Sequence, residues 1–181
     1  MEERPAEETR VTPLYEGRIV KLYLKEVTLP HGGTARLEIV HHPGAAAVVP
    51  LHDDGSVTLV RQYRHATGGY LYEIPAGLLE PGEPALECAR RELKEETGLS
   101  AEIVTPLLRY HTTPGFSDEE VHLFTATGLT EGAQALEEDE VLTVVRLPLA
   151  EAMALVDGGG ISDGKTLIAL MAVASGIGGA A

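Results

Sequence analysis

The stretch GLLEPGEPALECARRELKEETGL, residues 77–99, decides the reading of this chain. Pro84 to Thr97 is the clearest helix in the sequence: Pro84 lies near its first turn, good helix formers fill the interior, and Gly98 takes the position after its C-cap. Leu86, Ala89 and Leu93 form its apolar stripe. Glu92, Glu95 and Glu96 stand at i, i+3 and i+4 and share one side of the helix, with Glu92 and Glu96 on the flank of that stripe. Carboxylates so placed repel one another, and the helix C-terminus adds a dipole that disfavours negative charge. Such a cluster calls for a compensating cation, and all-oxygen ligation favours Mg²⁺ or Mn²⁺. The alternative for the same spacing is a solvated acidic face.

Working outward, the flanks read as strands. Residues 1–13 form a charged, Pro-containing flexible tail, and residues 14–40 supply N-terminal strands: RIVKLYLKEVTL and TARLEIVHH, split by a Pro30-His31-Gly32-Gly33 turn. AAAVVPL and SVTLVRQY, split by Asp53-Asp54-Gly55, repeat the hairpin pattern. YLYEIPA is a short strand ending at Pro75. After the helix come IVTPLLRYHTTPG, EEVHLFTATGL, the acidic loop LEEDE and VLTVVRLPL. A second helix starts near Leu149, and Ser162 or Asp163 caps a third. The main domain is expected over residues 41–174, with a flexible tail at 175–181. Many strands with two or three helices predict α+β, or a layered mixed-sheet sandwich.

The chain has 181 residues, 14 Lys plus Arg against 28 Asp plus Glu, and a net charge of −14. That balance argues against a nucleic-acid partner, because phosphate contacts need clustered basic residues. No apolar run reaches the length of a membrane span, and the acidic start is unlike a secretion signal. With a single cysteine, Cys88, a soluble cytoplasmic protein is expected.

Gly77, Glu83, Arg91, Glu92, Leu93, Glu95, Glu96, Gly98 and Leu99 match the pattern G-x5-E-x7-R-E-U-x-E-E-x-G-U, U being a bulky aliphatic. This resembles the Nudix box, the signature of hydrolases acting on nucleoside diphosphates linked to another group. VRQYRHATGGYLYEIPAG and TTPGFSDE further resemble stretches of the ADP-ribose and ADP-sugar pyrophosphatases of that family. The resemblance implies an α/β/α sandwich of mixed sheets and a homodimer made through the N-terminal strands. It implies metal ligation by Glu92, Glu95, Glu96 and the carbonyl of Ala76, and pairing of Glu83 with Arg91. Arg64 and Arg61 are expected at the diphosphate; an exposed ion pair is the other reading for each. Glu73 is expected at a metal or a ribose, or as an outward-facing strand residue. Arg18 and Ile19 in the GRIV strand are candidate adenine contacts, and Pro114 and Gly115 belong to the substrate loop. Glu138 and Glu140 are candidates for the general base, with Glu119 or Glu120 as the fallback. The substrate expected is ADP-ribose or a related ADP-sugar, cleaved to AMP and a sugar phosphate with Mg²⁺. GDP-sugars, dinucleotides and flavin dinucleotides are the alternatives, as is a nucleotide-sensing module without turnover. The absence of Trp departs from relatives that stack adenine on it.

Overall fold

The computed structural model describes residues 5–136 and 140–177. It divides into two compact units, one of Met1–Gly44 with His111–Glu120, the other of Ala45–Tyr110 with Val121–Ala181.

In the first unit, β1 (Glu7–Glu16), β2 (Lys21–Thr28) and β3 (Thr34–His41) form an antiparallel sheet in the order β1-β2-β3. The residues from Glu7 to Pro13, expected as tail, are therefore strand. Charge and a proline argued against order there, but β1 is an edge strand, where a missing N–H costs no ladder bond and charged side chains reach water. Gly17–Val20 is not strand either: it forms the β1–β2 turn, closed by a hydrogen bond from Gly17 N to the Val20 carbonyl at 2.9 Å. The 112–119 segment clasps the end of β3. Val40 N donates to Phe116 O at 2.7 Å, and Asp118 accepts from the His42 N–H at 2.9 Å and lies 2.6 Å from His41 Nδ1.

The second unit holds two sheets. One, in the order β10-β5-β6, is made of β5 (Ser56–Arg64), β6 (Gly69–Glu73) and β10 (Leu142–Pro148). The other runs β7-β4-β9-β8, from β4 (Ala45–Pro50), β7 (Ala76–Leu78), β8 (Ser100–His111) and β9 (Glu120–Thr130). β4 lies parallel to β9 and antiparallel to β7, which makes the sheet mixed.

The layering follows from the run AAAVVP. Successive side chains of a strand point to opposite faces, and β4 has an apolar core on each: Ala46 and Val48 pack with Cys88, Ala89, Leu93 and Phe124, while Ala47 and Val49 pack with Leu59, Ile74, Leu123 and Leu170. The first core lies under α1 (Ala85–Thr97), the second under α2 (Leu149–Asp157) and α3 (Gly164–Ala174). The result is an α/β/α sandwich. Asp163 caps α3 through the Thr166 N–H at 3.0 Å.

Two expectations change. The Asp-Gly turn between β4 and β5 does not make a hairpin: the strands belong to different sheets and share one isolated bridge, Leu51 with Val57. A strand apolar on both faces belongs in the sandwich centre, where β7 and β9 take its two edges. The start of the box is also strand, since Ala76–Leu78 pairs with β4 as β7. Among the described residues, no helix is long and apolar enough to cross a membrane.

Candidate active site

Helix α1 carries Glu92, Glu95 and Glu96 near its C-terminal end, each in a different setting. Arg91 is the hub. Its Nε and Nη2 donate to the two oxygens of Glu83 at 2.9 and 3.0 Å, and its Nη1 donates to Glu92 at 2.5 Å and Glu95 at 3.1 Å. Nη2 also caps the Leu78 carbonyl at 3.2 Å, so one guanidinium ties the 78–83 loop to the helix. The hydrogen bonds from Arg91 hold the Glu83 carboxyl down at about 2. This is the Glu83–Arg91 pairing expected from the resemblance.

Glu92 is buried, and burial pushes its carboxyl above the usual range even with Arg91 beside it. Glu96 is 2% exposed. Its hydrogen-bond donor is the Ala76 N–H at 3.1 Å. Burial, then the charge of Glu92, then that of Glu140 raise its carboxyl to about 8, against the opposing Ala76 hydrogen bond. Glu95 is more open and leans on Arg91. Gly77 makes room for this arrangement: a Cβ there would stand 1.7 Å from Glu92 Oε1.

The helix end is joined to the loop that follows β9. Gly98, at φ +74°, lies so close to that loop that a Cβ would meet the Gly132 carbonyl at 2.5 Å. Gln134 Nε2 donates to the Glu96 carbonyl at 2.5 Å, and Ala135 N donates to the Glu95 carbonyl at 2.9 Å. These bonds satisfy orphan carbonyls of the last turn. The charge of Glu140, farther along the chain, is felt at Glu92 and Glu96. Glu138 lies outside the described residues.

Arg64, at the end of β5, makes a side-on pair with Glu73 of β6, with Nε and Nη2 each 2.8 Å from a carboxylate oxygen. Glu73 is 1% exposed. Burial alone would raise its carboxyl, but the bonds from Arg64 and Lys165 outweigh this and hold it below the usual range. Glu73 is thus neither outward-facing nor solvated. Arg61 lies on the opposite face of β5 by strand alternation, over the Tyr70 ring at 4.4 Å. Gln62 shares the Arg64 face; it is 7% exposed, and its Oε1 has no partner among the described residues.

The remaining candidates belong to the first unit: Arg18 and Ile19 in the β1–β2 turn, and Pro114 and Gly115 in the exposed turn that Phe116 N closes onto Thr113 O at 3.1 Å. Glu119, the fallback base, accepts from Thr112 Oγ1 at 2.7 Å.

The structure therefore brings Ala76 onto Glu96, keeps Glu92 on the same buried flank of the helix, leans Glu95 on Arg91, and lets the charge of Glu140 act on both buried carboxylates. Among the described residues no three His, Cys, Asp or Glu side chains converge closely enough to hold a metal as they stand. As they stand, Glu92 and Glu95 share Arg91 Nη1 as their cationic partner. The chemistry of the donors nonetheless fits a hard divalent cation, because two buried carboxylates with raised affinity for protons are short of positive charge. Sequence reasoning missed Lys165 and Gln62. Nothing marked Lys165 beyond its place next to the α3 cap, and the partner that gives it meaning is 92 positions away.

The NUDIX domain profile matches residues 40–169. A methanol dehydrogenase activator of Bacillus methanolicus is 43% identical over 87% of this chain and 86% of its own length. An ADP-ribose pyrophosphatase of Bacillus subtilis is 41% identical over the same shares. A solved structure described as an ADP compounds hydrolase superposes with a TM-score of 0.83, at 26% identity, covering 99% of this chain and 97% of that one. The chain belongs to the NUDIX domain family.

Proposed function

We propose that this protein hydrolyses the diphosphate bond of ADP-ribose, or of a related ADP-sugar, to AMP and a sugar phosphate in a Mg²⁺-dependent reaction. The observation that carries the reading is the buried, charge-deficient pair Glu92 and Glu96 on α1. The B. subtilis relative and the superposing hydrolase support the substrate class.

Glu92 and Glu96, with Glu95 and the Ala76 carbonyl, would hold the cation, Mg²⁺ or Mn²⁺; when bound it offsets phosphate charge and activates water. Arg64 binds the diphosphate with the guanidinium edge that Glu73 does not occupy. Glu140 accepts the proton of the attacking water, a task for which a carboxylate whose lone pairs face a cation is a poor base. Pro114 and Gly115 shape the substrate loop, and Arg18 and Ile19 contact the base. Arg61, stacked on Tyr70, keeps at most an outlying role at the phosphates.

The N-terminal sheet exposes Val11, Leu14 and Tyr15, which supports burial against a second copy as a homodimer. The lone, buried Cys88 supports a reducing, cytoplasmic setting. The test is a product-resolved panel of ADP-ribose, GDP-mannose and dinucleotides with and without Mg²⁺. AMP release from ADP-ribose that needs Mg²⁺ supports the proposal. Release of AMP without the cation, or turnover of other substrates only, overturns it.

A further inference from the structure

Lys165 breaks a local rule. It is the second residue of α3, where the helix dipole disfavours a positive charge. It is 15% exposed, a severe burial for a side chain that normally reaches water. Its ammonium donates to Glu73 Oε2, and Asp163 Oδ1 accepts from it at 3.0 Å. Asp163 uses its other oxygen for the Thr166 N–H at 3.0 Å and the Thr166 hydroxyl at 2.6 Å. The same Thr166 hydroxyl accepts the Ile74 N–H at 2.8 Å. The first turn of α3 is therefore stitched to two consecutive residues at the end of β6, Glu73 through its carboxylate and Ile74 through its backbone.

Glu73 is the shared partner of both cations. Arg64 approaches it side-on and uses two of the five guanidinium N–H donors, which fixes the plane of the group. The remaining donors lie on Nη1 and the outer side of Nη2, the edge suited to a phosphate fork. A buried carboxylate draws its cationic partners in as far as its charge is unmet. With Lys165 taking part of the Oε2 charge, Arg64 can stay side-on; without it, Arg64 is the only cation left on Glu73 among the described residues.

We propose that Lys165 is a positioning residue for substrate binding: acting through Glu73, it holds the Arg64 guanidinium in the orientation that grips the diphosphate. The inference rests on the reading of Arg64 as a diphosphate ligand and adds a residue that does not itself touch substrate. A merely structural Lys165, clamping α3 to the sheet, would lower thermal stability and leave KM alone.

The experiment measures kcat and KM for ADP-ribose in saturating Mg²⁺, with thermal melts, for the parent, Lys165→Met, Lys165→Arg, Arg64→Ala and the double variant Arg64→Ala/Lys165→Met. We expect Arg64→Ala to raise KM roughly tenfold to a hundredfold, as for loss of a charge-assisted bond. Lys165→Met should raise KM about tenfold while kcat stays within about threefold, and Lys165→Arg should restore KM. In the Arg64→Ala background, Lys165→Met should add no further rise, because the two act as one unit. Additive effects in the double variant overturn the inference, as does a lowered melting midpoint with unchanged KM. An unchanged KM in Arg64→Ala removes the Arg64 reading and this inference together, whereas a raised KM there with a normal KM in Lys165→Met removes this inference alone. Should Lys165→Met fail to fold, Lys165→Gln, which keeps a donor without the charge, is read by the same outcomes.

Discussion

Gly77 and Glu92 occupy what is in effect one space: the Glu92 carboxylate lies where a side chain on residue 77 would begin, with Oε1 1.7 Å from the place of a Cβ. The first and the fourth fixed positions of the box are thus one steric requirement. Substitution Gly77→Ala must displace either β7 or the carboxylate. Overpacking of this kind typically costs about 1–3 kcal/mol. We expect a lowered melting midpoint together with weaker activation by Mg²⁺, read from a Mg²⁺ titration of kcat. Parent-like activation in a folded variant would show that the Glu92 position does not matter.

Glu83 gives a pH signature. Its folded carboxyl, at about 2, lies below the ordinary value of 4.5, so the pair with Arg91 contributes stability that is fully present above that ordinary value. That contribution is lost as pH falls from about 4.5 toward 2. Thermal melts across this window should fall more steeply for the parent than for Glu83→Gln, which starts less stable at neutral pH. Parallel curves would mean that the pair contributes nothing.

Glu140→Gln should lower kcat by about 10²–10⁴, the usual range for loss of a general base, with little change in KM. Stopped assays in saturating Mg²⁺ measure it. A kcat within about threefold of the parent, also when Glu138→Gln is added, would move the base to Glu119 or Glu120.

The layers of the fold were legible because burial writes itself into the sequence. The uninterrupted run Ala45 to Val49 needs an apolar partner on both faces, and the Pro84 to Gly98 punctuation sets the α1 limits within a residue. Which strands neighbour one another was not legible. A turn such as Asp54-Gly55 reports that the chain reverses, while the pairing of β4 with β7 and β9 is decided by residues far along the chain. Charged β1 was missed because strand signals weigh apolar alternation, which an edge strand can do without.

The site divides in the same way. Glu92, Glu95 and Glu96 were readable from spacing, since one helix fixes their relation. Their different environments were not: Arg91 takes Glu95, the Ala76 N–H takes Glu96, and Gly77 receives Glu92. Arg61 and Arg64 look alike in VRQYR, yet an odd separation of three puts them on opposite faces of one strand. Lys165 needed the tertiary contact with Glu73 to be seen at all.

The central claim is that the buried carboxylate of Glu96 serves cation-dependent hydrolysis rather than the fold. It is tested most directly by kcat for AMP release from ADP-ribose, measured in saturating Mg²⁺ for the parent and Glu96→Gln, with melting midpoints alongside. Gln keeps the size and the acceptor for the Ala76 N–H and removes the charge that burial disfavours. The account predicts a loss of at least about 10²-fold in kcat, comparable to removing a key charge from a catalytic site, with a midpoint equal to or above that of the parent. Near-parent turnover by a folded Glu96→Gln protein would contradict it.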